Sequence, residues 1–380
     1  MNIRKHKKIS IAALLIVAFL AGLGIYYVVI RNDDPYTTQA APQLPDPPLK
    51  ELAERRGIQV GSFASLKYLR ERPYTDILSS EFEYLIIDGE PNWKFEDRAL
   101  RPTKETFDFT DMDKVFDFAD QNNMPVRVQH MLWGDDKWLP DWLTKGDFSK
   151  TQLLDIIHNH IQTVGARYKG KVREYTVVNE AFSRELETGG NKDWWGRKLG
   201  REYIDNSFIW AKAADPNAIL ILNDFGNETE GQISNLMYDY IKDAKSRGIP
   251  IDALGMQMHI SSSNAPSTEK VVSNMRRFAD LGVKIYITEF DVNMHDAPGD
   301  DKEKDAKQAQ IYSDMLNACL QVGPSVCPNF GFLGLVDRQS WYNGIGLEDA
   351  DPLMFRSDYS PKPAFFSVRD TLENNKKITQ

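Results

Sequence analysis

Between Val60 and Leu333 the chain repeats one kind of unit, a short apolar run rich in β-branched residues followed by a longer segment patterned as a helix. The apolar runs centre near Val60, Leu85, Val128, Val177, Leu220, Leu254, Tyr286 and Leu333, on average one every 39 residues. That length suits a strand, a helix and two connecting loops. Helical patterning fills the intervals at 111–122, 150–168, 200–214, 231–247, 268–281 and 303–320. Strands that alternate with helices pair in parallel, and eight such units close into a (β/α)8 TIM barrel of the α/β class. An open, doubly wound sheet of the dinucleotide-binding kind would need a glycine-rich phosphate loop after its first strand. Residues 61–70, GSFASLKYLR, carry no such pattern.

Of the 380 residues, 42% are hydrophobic and 27% charged, enough apolar material for a large core and too much for a disordered chain. Lys and Arg number 46 against 55 Asp and Glu, a formal net charge of −9, so nucleic acid is not an expected partner. The amino terminus departs from this balance. Arg4, Lys5, Lys7 and Lys8 form a basic tail at 1–8, and residues 9–30 hold no charge. Twenty-two such residues in a helix cross a bilayer, and the basic flank orients the tail to the cytoplasm. The stretch exceeds the apolar core of a cleaved signal peptide and ends in Tyr26, Tyr27, Val28, Val29 and Ile30. It therefore reads as an uncleaved transmembrane signal anchor with the remainder outside the cytoplasm; cleavage would make the protein secreted.

Residues 31–48, with Pro35, Pro42, Pro45, Pro47 and Pro48, read as an extended tether, which leaves 49–380 as one folded domain, expected to be monomeric. Cys319 and Cys327 lie eight positions apart. They are either two small core thiols or, as an exported domain favours, a local disulfide.

In a barrel the chemistry sits at the C-terminal strand ends. Two runs deliver a carboxylate there: residues 175–178 lead into Asn179 and Glu180, and residues 284–288 lead into Glu289, Phe290 and Asp291. Three repeat units fit the 109 residues between the glutamates, which assigns them to strands 4 and 7, opposed across one mouth. Two glutamates so placed can divide the work of glycoside cleavage. A lone strand-end Glu is equally explained as a helix cap or the partner of a buried Arg. That explanation weakens for a pair accompanied by Asn179, by Asn223 and Asp224 ending strand 5, and by Gln257 and His259 ending strand 6.

These motifs resemble glycoside hydrolase family 10, the endo-β-1,4-xylanases, over nearly all of residues 49–370. The opening LKELA at 49–53 and GIQVG at 57–61, VVNEA at 177–181, GMQMH at 255–259, ITEFD at 287–291 and PKPA at 361–364 carry the likeness in order. Cys319 and Cys327 also fall where many members of the family carry a disulfide. The resemblance implies a retaining double displacement on xylan or a related β-1,4-linked polysaccharide, with no cofactor and no metal. Glu289 would be the nucleophile and Glu180 the acid/base. His259 would hydrogen-bond Glu289, and Asn179 would meet the sugar 2-hydroxyl, with Gln257 also lining the site.

Donor-side sugar contacts are expected from Glu90, Asn92 and Lys94; Pro91 stands where the family has an amide, which removes a sugar hydrogen bond unless the adjacent Asn92 substitutes for it. Trp133 and Trp341 match sugar-binding tryptophans. Gln129 and Gly134 stand where the family has histidines, and Leu333 where it has a tryptophan over the sugar. His130 is a candidate to fill the gap left by the missing histidine, although strand alternation places Gln129 and Trp133 on one face and His130 on the other. These departures leave two alternatives: a barrel glycosidase for another β-linked glycan, or a catalytically weak carbohydrate-binding surface protein. His158 and His160, two apart on a helix, point to different faces and do not make a metal pair.

Overall fold

A computed structural model describes residues 39–87, 89–95 and 97–374. Eight parallel strands form its centre: β1 (Gln59–Phe63), β2 (Tyr84–Ile87), β3 (Val126–Trp133), β4 (Val172–Asn179), β5 (Ile219–Asp224), β6 (Ala253–Met256), β7 (Lys284–Asn293) and β8 (Asn329–Phe332). Each pairs with its neighbour in sequence, and β8 pairs back onto β1, so the barrel is closed. A three-residue strand, His259–Ser261, adds to the far end of β7. The long helices outside are α1 (Leu49–Glu54), α2 (Arg72–Glu81), α3 (Thr110–Gln121), α4 (Lys150–Tyr168), α5 (Glu202–Ala214), α6 (Gln232–Ser246), α7 (Thr268–Ala279), α8 (Asp301–Val322) and α9 (Pro363–Asn374).

Strands covered on both faces read as continuous apolar runs, which is why they stand out in the sequence. Helix starts are written as locally. Ser149 caps α4 in a reciprocal box with Gln152, and Asp300 caps α8 in the same way with Glu303, each satisfying backbone N–H groups that the first turn leaves unpaired. The expected eighth strand is displaced slightly: β8 ends at Phe332, and Leu333 follows it, half-buried against Phe63, Tyr84 and Ile86.

The end of the barrel where the strands begin holds a buried ionic layer. Arg127 of β3 donates to Glu174 of β4 at 2.7 Å and to Asn329 of β8 at 2.5 Å, with its guanidinium between the rings of Tyr84 and Tyr286. Cys319 near the end of α8 and Cys327 before β8 form a disulfide with their Cα atoms 5.3 Å apart.

The transmembrane anchor expected over 9–30 lies outside the described residues; among those described, no helix is long and apolar enough to cross a membrane. The end of the proline-rich segment rests on the barrel. Arg369 of α9 donates to the carbonyls of Pro45, Asp46 and Pro47, and Ala41 and Leu44 pack against the core. A guanidinium presents several N–H donors in a fixed fork and so can satisfy three neighbouring carbonyls at once.

Candidate active site

Glu180 follows β4 directly and sits in the left-handed region, φ 56° and ψ 31°, before the short helix Ala181–Glu185. Such a conformation in a non-glycine residue costs on the order of 1–3 kcal/mol and persists where surroundings over-determine it. Here Glu180 N donates to Asn223 O of β5 at 2.9 Å, while the Asp224 carboxylate accepts from Phe182 N at 2.9 Å and Ser183 N at 3.2 Å. Burial, reinforced by the nearby Glu180 carboxylate, pushes Asp224 up to about 7 despite those bonds. The side chain of Glu180 is held by three donors. Trp133 Nε1 and Arg184 Nε each lie 2.8 Å from Oε2, and Gln257 Nε2 lies 3.1 Å from Oε1.

Glu289 enters from β7, its N–H donating to Gln257 O of the strand-6 end at 3.2 Å. Oε1 accepts from Gln129 Nε2 at 2.5 Å and Asn223 Nδ2 at 2.8 Å, and His130 Nε2 lies 3.8 Å from the same oxygen. Oε2 stands 3.4 Å from His259 Nε2, whose other ring nitrogen meets Asp291 Oδ1 at 3.0 Å; Trp341 Nε1 donates to Asp291 Oδ2 at 3.2 Å. Burial alone would raise the Glu289 carboxyl, but His130 and His259 outweigh it and bring it down to about 2. His259 moves the opposite way. Its burial favours the neutral ring, yet Asp291 and Glu289 hold it well above the usual histidine range.

The two glutamates are joined by amides. Asn179 Oδ1 accepts from Gln257 Nε2 at 3.1 Å and from Asn223 Nδ2 at 2.8 Å, and these two donors also serve Glu180 and Glu289 respectively. One carboxylate is locked as an anion and another, across a short amide bridge, faces the same mouth, an arrangement able to support glycoside cleavage by two carboxyl groups.

A family model described as Glycosyl hydrolase family 10 matches residues 48–371. The chain belongs to glycosyl hydrolase family 10. It is 35% identical over 336 residues to endo-1,4-beta-xylanase B of Thermotoga neapolitana, covering 87% of this chain and 93% of that one. Beta-1,4-xylanase of Dictyoglomus thermophilum is 28% identical over 375 residues, 96% of this chain and 99% of the relative. Among solved structures, xylanase 10B from Thermotoga petrophila in complex with xylobiose matches with a TM-score of 0.78 and 33% identity, over 87% of this chain and 99% of that one. The chain is thus a glycoside hydrolase with a family 10 barrel.

Within that barrel the sequence-derived positions divide. Glu180, Glu289, Asn179, Gln129, Trp133, Gln257, His259 and Trp341 converge on one bonded cluster. His130 corrects the expectation from alternation. Its ring faces Glu289 together with Gln129, because the pairing of β3 with β4 shifts register between Gln129 and Leu132 and the two-residue period fails there. Glu90 accepts from Leu66 N at 3.3 Å, and burial raises its carboxyl; Asn92 is buried and Lys94 half-buried in the loop after β2.

Gly134 has a physical reason to lack a side chain, since a Cβ there would meet Asp193 Oδ1 at 1.9 Å. Trp93, Trp142, Trp194 and Trp195 belong to packing rather than to the mouth: Trp93 stacks on His160 at 4.2 Å and meets Trp195 edge-on. His158 lies against Trp210 instead, on another side of α4. Sequence reading named Asn223 only as a neighbour and passed over Arg184 and the bridging role of Asp291. Asn223 and Asp291 stand at strand ends beside the glutamates, a signal that was present.

Proposed function

We propose that this protein is a retaining endo-1,4-β-xylanase in which Glu289 is the nucleophile and Glu180 the acid/base. The observation that carries the reading is the asymmetry between the two carboxyls. Glu289 is held ionised by two histidines and two amide donors, as an attacking carboxylate must be, while Glu180, at the end of β4, takes Trp133, Gln257 and Arg184 as its donors. In the first step Glu289 attacks the anomeric carbon, the glycosidic C–O bond breaks, and Glu180 transfers its proton to the leaving oxygen. Water then attacks the glycosyl-enzyme, gives its proton to Glu180, and frees Glu289. His259, Gln129 and Asn223 keep Glu289 aimed through both steps. Asn179, tied on its oxygen by two amides, has its own Nδ2 free of those bonds for a sugar hydroxyl.

Xylan is the proposed substrate because the curated relatives and solved structures cited above are xylanases, and Glu90, Asn92 and Lys94 are assigned to the donor side. Leu333 and the Gly134–Asp193 contact support a second reading, a different β-linked glycan with the same chemistry. The uncharged stretch 9–30 supports membrane attachment with the barrel outside the cytoplasm, read by whether the protein sediments with membranes and keeps its amino terminus. The deciding assay measures the whole chain on xylan, glucomannan and cellulose beside Glu180→Gln and Glu289→Gln. Either substitution is expected to cost about three orders of magnitude or more in kcat on the preferred glycan. Undiminished turnover by Glu289→Gln would sink the mechanism, whereas activity confined to another polymer would change the substrate alone.

A further inference from the structure

Arg184 lies four residues after Glu180, a spacing that returns a helical side chain to the same face. Its Nε donates to Glu180 Oε2 at 2.8 Å, and its other nitrogens meet Asp135 Oδ2 at 3.2 Å and Glu187 Oε2 at 3.0 Å. The guanidinium stands 6.0 Å from the centre of the Trp133 ring. The arginine side chain is 21% exposed and that of Glu180 9%, so solvent screens this pair only partly. Every hydrogen bond on the Glu180 carboxyl comes from a donor, and one donor is a cation that stays charged throughout the working pH range. An adjacent cation stabilises a carboxylate against its protonated form. Glycosylation requires the acid, and deglycosylation requires the base. A dedicated cation would serve only the second step. Here one cation is divided among three carboxylates, and its pull on Glu180 is reduced by what Asp135 and Glu187 take.

We propose that Arg184 is a positioning residue that poises Glu180 between its acid and base roles, with Asp135 setting how much of the guanidinium charge Glu180 receives. This inference rests on the reading of Glu180 as the acid/base. The charged and titratable groups around that carboxyl are Arg184 and Glu187 after β4, Asp135 after β3, Asp224 at the end of β5, and the Glu289, His130 and His259 group across the mouth. Among these, Arg184 alone is a permanent cation in direct contact with Glu180, so removing it shifts proton release in one direction.

The test is the pH dependence of kcat/KM for the whole chain on an aryl β-xylobioside with a poor leaving group, whose alkaline limb reports the essential acid. Arg184→Met is expected to move that limb upward by about one pH unit, because an adjacent opposite charge depresses a carboxyl by roughly 1–3 units and this one is shared. Asp135→Asn keeps the side-chain oxygen that caps Lys137 N and leaves Arg184 more fully on Glu180. It is expected to move the limb downward, by less. Arg184→Lys retains a cation and should stay closer to wild type than Arg184→Met, and thermal midpoints identify any variant that fails to fold. Should Arg184→Met not fold, a downward shift in Asp135→Asn beside an Arg184→Lys limb near the wild-type position still decides, and no shift in Asp135→Asn overturns the proposal. An alkaline limb that stays put in the folded variants, or moves in one direction for both Arg184→Met and Asp135→Asn, overturns the proposal. Loss of activity in Glu180→Gln with such an unmoved limb sinks this inference alone; full activity in Glu180→Gln sinks the acid/base assignment with it.

Discussion

Replacing His259 by Asn tests what keeps Glu289, the proposed nucleophile, charged. The Glu289 carboxyl sits at about 2 instead of the usual 4.5, a displacement worth roughly 3 kcal/mol in favour of the anion at 1.36 kcal/mol per unit. That displacement is a net figure, because burial acts against it while His130 and His259 act for it. Removing one histidine forfeits at least about one pH unit of that displacement, because the net already includes burial acting the other way. The acid limb of kcat/KM, which reports the ionisation of Glu289, is expected to rise by about one unit in His259→Asn.

Stability follows with a definite sign. Glu289 has a folded value below its unfolded one, so its contribution is present above about pH 4.5 and is lost as pH falls towards 2. The raised His259 adds stability below the ordinary histidine value of about 6.5 and loses it as pH climbs through its folded value. Between pH 4.5 and 6.5 both terms operate in the wild type, and the gap in thermal midpoint between wild type and variant should be widest there. It should narrow towards pH 2. An unmoved acid limb accompanied by a higher KM alone would refute the reasoning and reduce His259 to a sugar contact.

Two further outcomes probe the framework. Arg127→Met takes the donor from Glu174 Oε2 and leaves that buried carboxylate only Arg173 at 2.9 Å and Asn329 at 3.3 Å, both on Oε1. It should therefore destabilise the barrel in denaturant unfolding by less than the roughly 3–5 kcal/mol of a fully uncompensated buried charge, and Arg127→Met combined with Glu174→Leu should recover most of that loss; equal destabilisation in the double variant would contradict it. Gly134→Ala places a methyl where Asp193 Oδ1 stands and should cost about 1–3 kcal/mol. A thermal midpoint equal to wild type would show that the carboxylate moves aside freely.

Much of the barrel was legible because its signals are local. The capping boxes at Ser149 and Asp300 mark helix starts within four residues, and the expected 150–168 helix coincides with Lys150–Tyr168. The glutamates were legible because an apolar strand that ends in a carboxylate is a local contradiction, resolved only where the strand opens into a mouth. Arg184 carried no comparable mark. An arginine on a short helix is ordinary, and only the approach of Asp135 from β3 makes it a shared cation. His130 was misplaced because alternation assumes an unbroken ladder, and the slip after Gln129 depends on how β4 pairs alongside.

By itself the sequence determined the eight-unit repeat, the closed parallel barrel, and the two glutamates at strands 4 and 7, since each follows from residue type and spacing along the chain. Only the tertiary structure decided which groups charge and aim those glutamates. Gln129 reaches Glu289 across 160 residues, Asn223 across 66, and Asp193 fills the space beside Gly134 from a different loop. The electrostatics of a buried carboxyl depend on what lies within a few ångströms, and in a closed barrel those neighbours come from strands distant in sequence.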